Sequence, residues 1–395
     1  MSSHLETILR NCNIIDVASG SILLDKDLLV ASNQFKEISS HLSKKDNETE
    51  IDMEGAYLLP GLVNVHVNLS HDPHANALIE SELETTQRCY KRALEGLTAG
   101  VTTIRTVGEI HRVDLALRKK INQGLLKGPR IVAGGKGLSS STPGALKEGH
   151  SVASNPEEFR KAAEAELSLG ADHLKIYATG GISGDFQKPI MSTGDVEAVV
   201  SAAKSRNTYV AAHCGGSKAA AMLADAGVRS IEHAYELDVD AAKILKEKGC
   251  YLVPTLGVTR SPTWFEMNGF PAQVLDRLLS FKKMHMESAR IAHRQGVQLL
   301  NGVDMPPGDI CDGINVAVRE MQFLIEAGLT PIEAIQASTI RGAELCGLGS
   351  KVGLIKENYL ADLIAVQGNP LVDIRSMEEI LFVLKDGEVI KNSIM

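Results

Sequence analysis

The sequence predicts an α/β protein, a (β/α)8 TIM barrel with a small β-sandwich domain formed by both chain ends. Three observations predict it. From Gly61 onward, short apolar runs of strand character alternate with longer segments of helical periodicity, the pattern of βα units around a parallel sheet. There are eight such runs over roughly 280 residues, which suits a closed barrel better than an open doubly wound sheet. Both chain ends read instead as short strands separated by polar turns.

Residues 1–58 supply the first half of the small domain, through Thr7-Ile8-Leu9, Asn13-Ile14-Ile15-Asp16, Leu28-Leu29-Val30 and Tyr57-Leu58-Leu59. The barrel occupies residues 59–346. Its strand runs are Leu62 to Val67, Val101 to Arg105, Arg130 to Gly134, His173 to Tyr177, Tyr209 to His213, Arg229 to His233, Tyr251 to Thr255 and Gln298 to Val303. The intervening segments carry helix signals: Ser154-Asn155-Pro156-Glu157 places a capping residue and an N-terminal proline before a periodic run that closes at Gly170. The last barrel helices end near Thr339 to Leu348. Residues 347–395 then return to strands, Leu363 to Val366 and Leu381 to Leu384, with a turn at Lys385-Asp386-Gly387, and complete the sandwich.

Composition narrows the function. The chain of 395 residues has 41 Lys plus Arg against 49 Asp plus Glu, a net charge of −8, with 44% hydrophobic and 23% charged residues. These values are globular. No basic cluster with interleaved aromatics is present, so nucleic acid is excluded as a partner. No long apolar run free of charge and no leader pattern is visible, which predicts a cytoplasmic protein without a membrane partner. A homo-oligomer acting on a small-molecule substrate is expected. The six cysteines are widely spaced without a C-x-x-C pair and read as buried free thiols. Gly134-Gly135-Lys136-Gly137 lacks the spacing of a phosphate loop, and no Gly-x-Ser-x-Gly elbow occurs.

The chemistry-bearing residues fall at the C-terminal ends of the strand runs, where a TIM barrel builds its active site. His66 ends the first run, Lys175 lies late in the fourth, His213 ends the fifth, His233 ends the sixth, and Asp304 follows the eighth. A lone histidine at a strand end is usually a hydrogen-bonded structural residue, and a lone lysine there usually reaches solvent. Three His, a Lys and an Asp converging on one mouth point instead to a metal site, because imidazole and carboxylate are the ligands that Zn²⁺, Mn²⁺, Fe²⁺ or Co²⁺ accept.

With these residues the sequence resembles the amidohydrolase superfamily over nearly its whole length. The matching stretches are Leu59-Pro60-Gly61-Leu62-Val63-Asn64-Val65-His66, Gly100-Val101-Thr102-Thr103-Ile104-Arg105, His173-Leu174-Lys175-Ile176-Tyr177, Ala212-His213, Ser230-Ile231-Glu232-His233, Gly302-Val303-Asp304, Ala361-Asp362-Leu363-Ile364 and Asn369-Pro370-Leu371. The stretch from Lys175 to Gly181 looks most like the imidazolonepropionase-like and metal-dependent dipeptidase branch, which includes prolidase- and ochratoxinase-like enzymes. The resemblance implies one or two divalent metals per chain, zinc first and Mn, Fe or Co as alternatives. It implies a carboxylated Lys175 bridging them, His213 and His233 at the second metal, and His66 and Asp304 at the first. It further implies that Asp304 acts as general acid/base toward a metal-activated water.

The first metal motif departs from the family pattern. Asp-x-His-x-His is replaced by Asn64-Val65-His66-Val67-Asn68, so Asn68 stands where an imidazole is usual. An amide oxygen is a weaker ligand for zinc, and the first site is expected to be weakened or altered. His71 and His74 lie in the following loop and are candidates for substrate binding, with Tyr177 and Trp264. Ser141-Thr142-Pro143-Gly144-Ala145 replaces a Thr-Gly-Gly-His common in relatives, and Cys214 follows a ligand but is expected to pack away from the mouth. Trp264 lies in an insertion-like loop, Ser261 to Phe270, that reads equally as a hydrophobic plug or a lid. Three functions compete: a metal-dependent hydrolase of an amide bond in a dipeptide or N-acyl amino acid; a cyclic amidohydrolase or deaminase, against which Lys175 counts; and a metal-poor binding protein or pseudoenzyme, motivated by Asn64 and Asn68.

Overall fold

A computed structural model of the chain describes residues 6–46, 48–71, 80–140, 149–182 and 185–394. His74 and the stretch from Ser141 to Ala145 lie outside them. The two chain ends form one mixed sheet of eight strands. Its middle is the antiparallel pair Tyr57–Pro60 and Leu363–Val366, with Leu363 opposite Pro60 and Val366 opposite Tyr57. Beyond that pair lie Glu6–Asp16, Ser21–Ala31 and Gln34–Ser39 on one side and Phe382–Lys385 and Glu388–Asn392 on the other, while Glu48–Asp52 pairs with Glu6–Asp16. Thr7 to Leu9 and Asn13 to Asp16, read above as two strands, are one. The break between them is a register irregularity on either side of Cys12, where Asn11 takes a left-handed φ of +53°.

One face of this sheet buries Leu9, Ile14, Leu28, Phe35, Leu58, Leu363, Phe382 and Leu384 in a core of its own. Each such side chain contributes about 1.5–3 kcal/mol by leaving water. Arg130, on the barrel side, pairs with Asp362 and Asp386 of the C-terminal tail and so ties barrel to sheet.

The barrel follows the predicted order. Its strands are Leu62–Val67, Val101–Thr106, Arg130–Val132 continued by Gly137–Ser139, Leu174–Tyr177, Val210–Cys214, Ser230–His233 and Tyr251–Val253, in parallel pairs. The third strand is split at Ala133 to Lys136, and an added strand, His150–Val152, runs parallel to its second half. The helices between are well signed: Asn155 caps Pro156–Ser168, and Ser192 with Asp195 forms a capping box on Thr193–Ser205.

The eighth run, Gln298 to Val303, corrects the expectation of a regular strand. It closes the barrel through single bridges, Leu299 to Leu252 and Met305 to Val67, and through Val65 N–H to Asn301 O at 2.9 Å. The amides of Val303 and Asp304 both donate to His66 O at 3.0 Å. Gly302 permits this approach, since a Cβ there would stand 2.5 Å from the Cβ of His66 and 2.4 Å from Val253 Cγ1. This irregular closure brings Asp304 directly beside His66.

The Ser261 to Phe270 segment is also corrected. It is not a loop but contains the helix Pro262–Met267, followed by Ala272–Ser280. Trp264 is 7% exposed there, packs on Phe265 and Phe270, and donates its indole N–H to Asp309 at 2.8 Å. That is the plug. All six cysteines are buried and unpaired, and Cys214 packs inward with Sγ near Gly216 O. Among the described residues no helix is long and apolar enough to cross a membrane.

Candidate metal centre

The site assembles at the C-terminal mouth of the barrel. His66, 1% exposed, presents Nε2 to Asp304 Oδ1 at 3.1 Å and Nδ1 to Glu232 Oε2 at 2.7 Å. His233 stands opposite, its ring centre 5.1 Å from that of His66, with Nδ1 2.8 Å from Thr255 Oγ1 and 3.9 Å from Asp304 Oδ2. One ligand atom each from His66, His233 and Asp304 lies within 4.8 Å of the others, a spacing that an ion can bridge.

Three residues at the mouth carry backbone strain. His233, Thr255 and Asp304 hold left-handed φ values of +72°, +51° and +59°, conformations that non-glycine residues adopt at a cost of about 1–3 kcal/mol each.

His213 adjoins this group but is not part of it. Its ring lies 4.6 Å from that of His233, and its Nε2 is 3.1 Å from Gly180 O, which leaves Nδ1 as the free nitrogen for a cation. Lys175 is 1% exposed on the fourth strand, in register beside Ala211, with its ammonium 5.2 Å from the ring centre of Tyr177. Asn68 is 7% exposed and donates its amide N–H to Asp304 Oδ1. An amide so engaged has only its oxygen to offer as a ligand. Asn64, at the position of the family's aspartate, accepts the His66 N–H, and its buried Nδ2 has no partner among the described residues.

Electrostatics favour a cation. Burial, and then the neighbouring His213, holds His233 well below the ordinary histidine range, and burial with the Lys175 charge brings His213 down to about 4, so both rings are neutral with a lone pair free. Burial opposes ionisation of Asp304, but the neighbouring His66 and the Lys175 ammonium outweigh it and hold the carboxyl below its usual range. Burial likewise pushes Lys175 down to about 8, against the upward pull of Glu232 and Asp304. A neutral amine is the form that takes up carbon dioxide, and the depression raises the neutral fraction of Lys175. Full-length protein equilibrated with ¹³C-bicarbonate and divalent metal is expected to show a carbamate resonance that is absent from Lys175→Ala; a free amine in metal-loaded protein would exclude the modification.

His71 stands at the rim, half-buried, with Nδ1 lacking a partner among the described residues and with burial lowering it to about 4. Tyr177 ends the fourth strand, its ring 4.3 Å from His150 and 5.8 Å from His213. Trp264 is committed to Asp309 and its aromatic neighbours, as described above. Sequence reasoning missed Glu232, Arg105, Thr255 and Tyr235, whose ring stacks on His233 at 5.3 Å. For Glu232 and Arg105 a signal existed: charged residues in the middle of wholly buried strands require partners.

The amidohydrolase family model matches residues 57–394. The chain belongs to the amidohydrolase family. Among its relatives is ochratoxinase of Aspergillus niger, 26% identical over 371 residues that cover 85% of this chain and 75% of that one. A crystal structure of a Xaa-Pro dipeptidase with methionine bound in its active site is 30% identical, with a TM-score of 0.87 over 97% of this chain and 99% of that one. Adenine deaminase of Moorella thermoacetica is 24% identical over 388 residues, 98% of this chain and 57% of the deaminase. This amidohydrolase is therefore a hydrolase of amide bonds. Metal binding is typical of the family, and the donor set of His66, His233 and Asp304 fits a divalent cation in charge, neutrality and spacing.

Proposed function

We propose that the chain hydrolyses the amide bond of a small substrate such as a dipeptide or N-acyl amino acid, with Asp304 as general acid/base. The observation that carries this reading is the convergence of His66, His233 and Asp304 beside a buried Lys175 at one barrel mouth. His66, His233 and Asp304 would hold a divalent cation, joined by His213 through Nδ1 and by Lys175 once carboxylated. The cation would polarise the amide carbonyl and acidify a water molecule. Asp304 Oδ1 is committed to Asn68 and His66, so Oδ2 is the oxygen left to take the water's proton and return it to the leaving amine. The half-buried rim of His71 and Tyr177 would contact substrate.

The deaminase reading has a specific support in the adenine deaminase match, and the products separate the two. A panel of dipeptides and N-acyl amino acids assayed for released amine, run beside adenine assayed for ammonia, is expected to turn over in the first set. Ammonia from adenine with no amine from the panel would reverse the assignment.

Asn68 sets a further expectation. With one weak amide oxygen in place of an imidazole, the first site should bind metal less tightly than the second or favour Mn²⁺ over Zn²⁺, giving about one tightly held metal per chain and a second only in excess. Asn68→His is expected to raise occupancy of that site. If Asn68 serves substrate instead, Asn68→Ala will spoil substrate affinity and leave metal content alone. Metal titration of the wild type and both variants decides; two equally tight zinc ions in the wild type would defeat the weak-site account.

A further inference from the structure

We propose, resting on the hydrolase reading above, that the hydroxyl of Tyr235 is a catalytic hydrogen-bond donor to the carbonyl oxygen of the amide that reacts at this mouth.

Tyr235 stands two residues beyond His233, and its ring is held from several sides. The residue is 3% exposed, and its ring stacks on that of His233 with centres 5.3 Å apart and planes 7° from parallel. Phe186, His285 and His213 meet it edge-on, with ring centres at 6.0, 5.0 and 6.5 Å. The main chain is fixed as well. Tyr235 O accepts from Ser288 Oγ at 3.0 Å, the same Oγ accepts from Leu237 N–H at 2.8 Å, and Glu236 N–H donates to Gly215 O at 2.9 Å.

This aromatic box explains a ring at position 235 but not its hydroxyl, because a phenylalanine would fill the same space with no polar atom to desolvate. Buried tyrosines ordinarily bond their hydroxyl within the protein. That of Tyr235 has no partner among the described residues. Nor is it one of the polar atoms sealed off without a partner, so it meets the small accessible surface that the residue keeps. Burial and then the Asp304 carboxylate keep the phenol protonated, and Asp304 is the charged side chain whose effect reaches it. A rigid, neutral donor therefore stands open beside His233, on the side of the ring that senses Asp304.

The acceptor that amide hydrolysis brings to this point is the carbonyl oxygen. As the water oxygen bonds to the carbonyl carbon, the C=O π pair moves onto that oxygen, and a donor already in place stabilises the charge without reorganising. The phenol gives a hydrogen bond and keeps its proton, so the proton transfers remain with Asp304.

The variant Tyr235→Phe tests the assignment, since it keeps the stack and removes only the hydroxyl. Full-length wild type and variant are compared on the panel amide that the wild type turns over, for kcat and KM, for inhibition by a phosphonate analogue of that amide, for bound metal and for melting temperature. The expected result is a kcat about 10²- to 10³-fold lower with KM little changed. The phosphonate, whose tetrahedral oxygens resemble the reacting centre, should bind more weakly by a similar factor, with metal content and melting temperature unchanged. A kcat loss under about tenfold, or a loss expressed in KM alone, would overturn the inference. A variant that misfolds or sheds its metal would make the hydroxyl structural and overturn it too. A wild type inactive on every amide of the panel would sink the hydrolase reading and this inference with it, whereas an active wild type matched by Tyr235→Phe would sink this inference alone.

Discussion

His233→Ala is expected to abolish amide hydrolysis and to strip most of the bound metal while leaving the barrel folded. His233 is the central imidazole of the site, with ring centres of His66 and His213 5.1 and 4.6 Å away and Asp304 Oδ2 at 3.9 Å. Its lone pair is free because burial and its neighbours keep the ring neutral. Alanine removes the imidazole at the centre of the set, and Asn68, whose amide N–H is engaged with Asp304, has only a weakly ligating oxygen to offer in its place. The side chain lies at a strand end, and the fold loses its hydrogen bond to Thr255, worth about 0.5–1.5 kcal/mol, together with its stacking on Tyr235. Metal content by elemental analysis and turnover on the responsive substrate check both halves. Unchanged metal and unchanged rate in the variant would remove His233 from the site.

Asp304→Asn is expected to lower turnover by about 10²- to 10⁴-fold, the usual loss on removing a positioned proton shuttle. The substitution keeps the shape of the side chain and can still meet His66 and Asn68, so the melting temperature should change little. It also removes the charge that His66 and Lys175 stabilise. A fall in kcat with a smaller change in KM would identify a residue acting in the transition state. Near-normal turnover would be incompatible with Asp304 as general acid/base.

Much of this was legible in the sequence because a TIM barrel converts chain order into position. His66, His213, His233 and Asp304 each end or follow an apolar run, and a strand end in this fold is a place at one mouth. Legibility failed where geometry departs from regular strands. The run from Gln298 to Val303 is apolar enough for a strand, yet Gly302 lets it close on His66 with irregular pairing that no local pattern encodes. The segment around Trp264 mixes Pro, Thr, Asn and Gly, which obscured a six-residue helix whose apolar face is fixed by tertiary contacts to Phe270 and Asp309. The pairing of Glu232 with Arg105 joins residues 127 apart in sequence, and only the closed barrel brings them together. The left-handed turns at His233, Thr255 and Asp304 carry no glycine to announce them.

The central claim is that amide hydrolysis by this chain depends on a divalent metal held by His66, His233 and Asp304. The most direct test removes metal from the full-length protein with a chelator, then returns Zn²⁺ or Mn²⁺ in steps while released amine and bound metal are measured together. Activity should vanish in the stripped protein and return in proportion to occupancy, and His233→Ala should recover neither. Hydrolysis at an undiminished rate in protein shown to be free of metal would contradict the account.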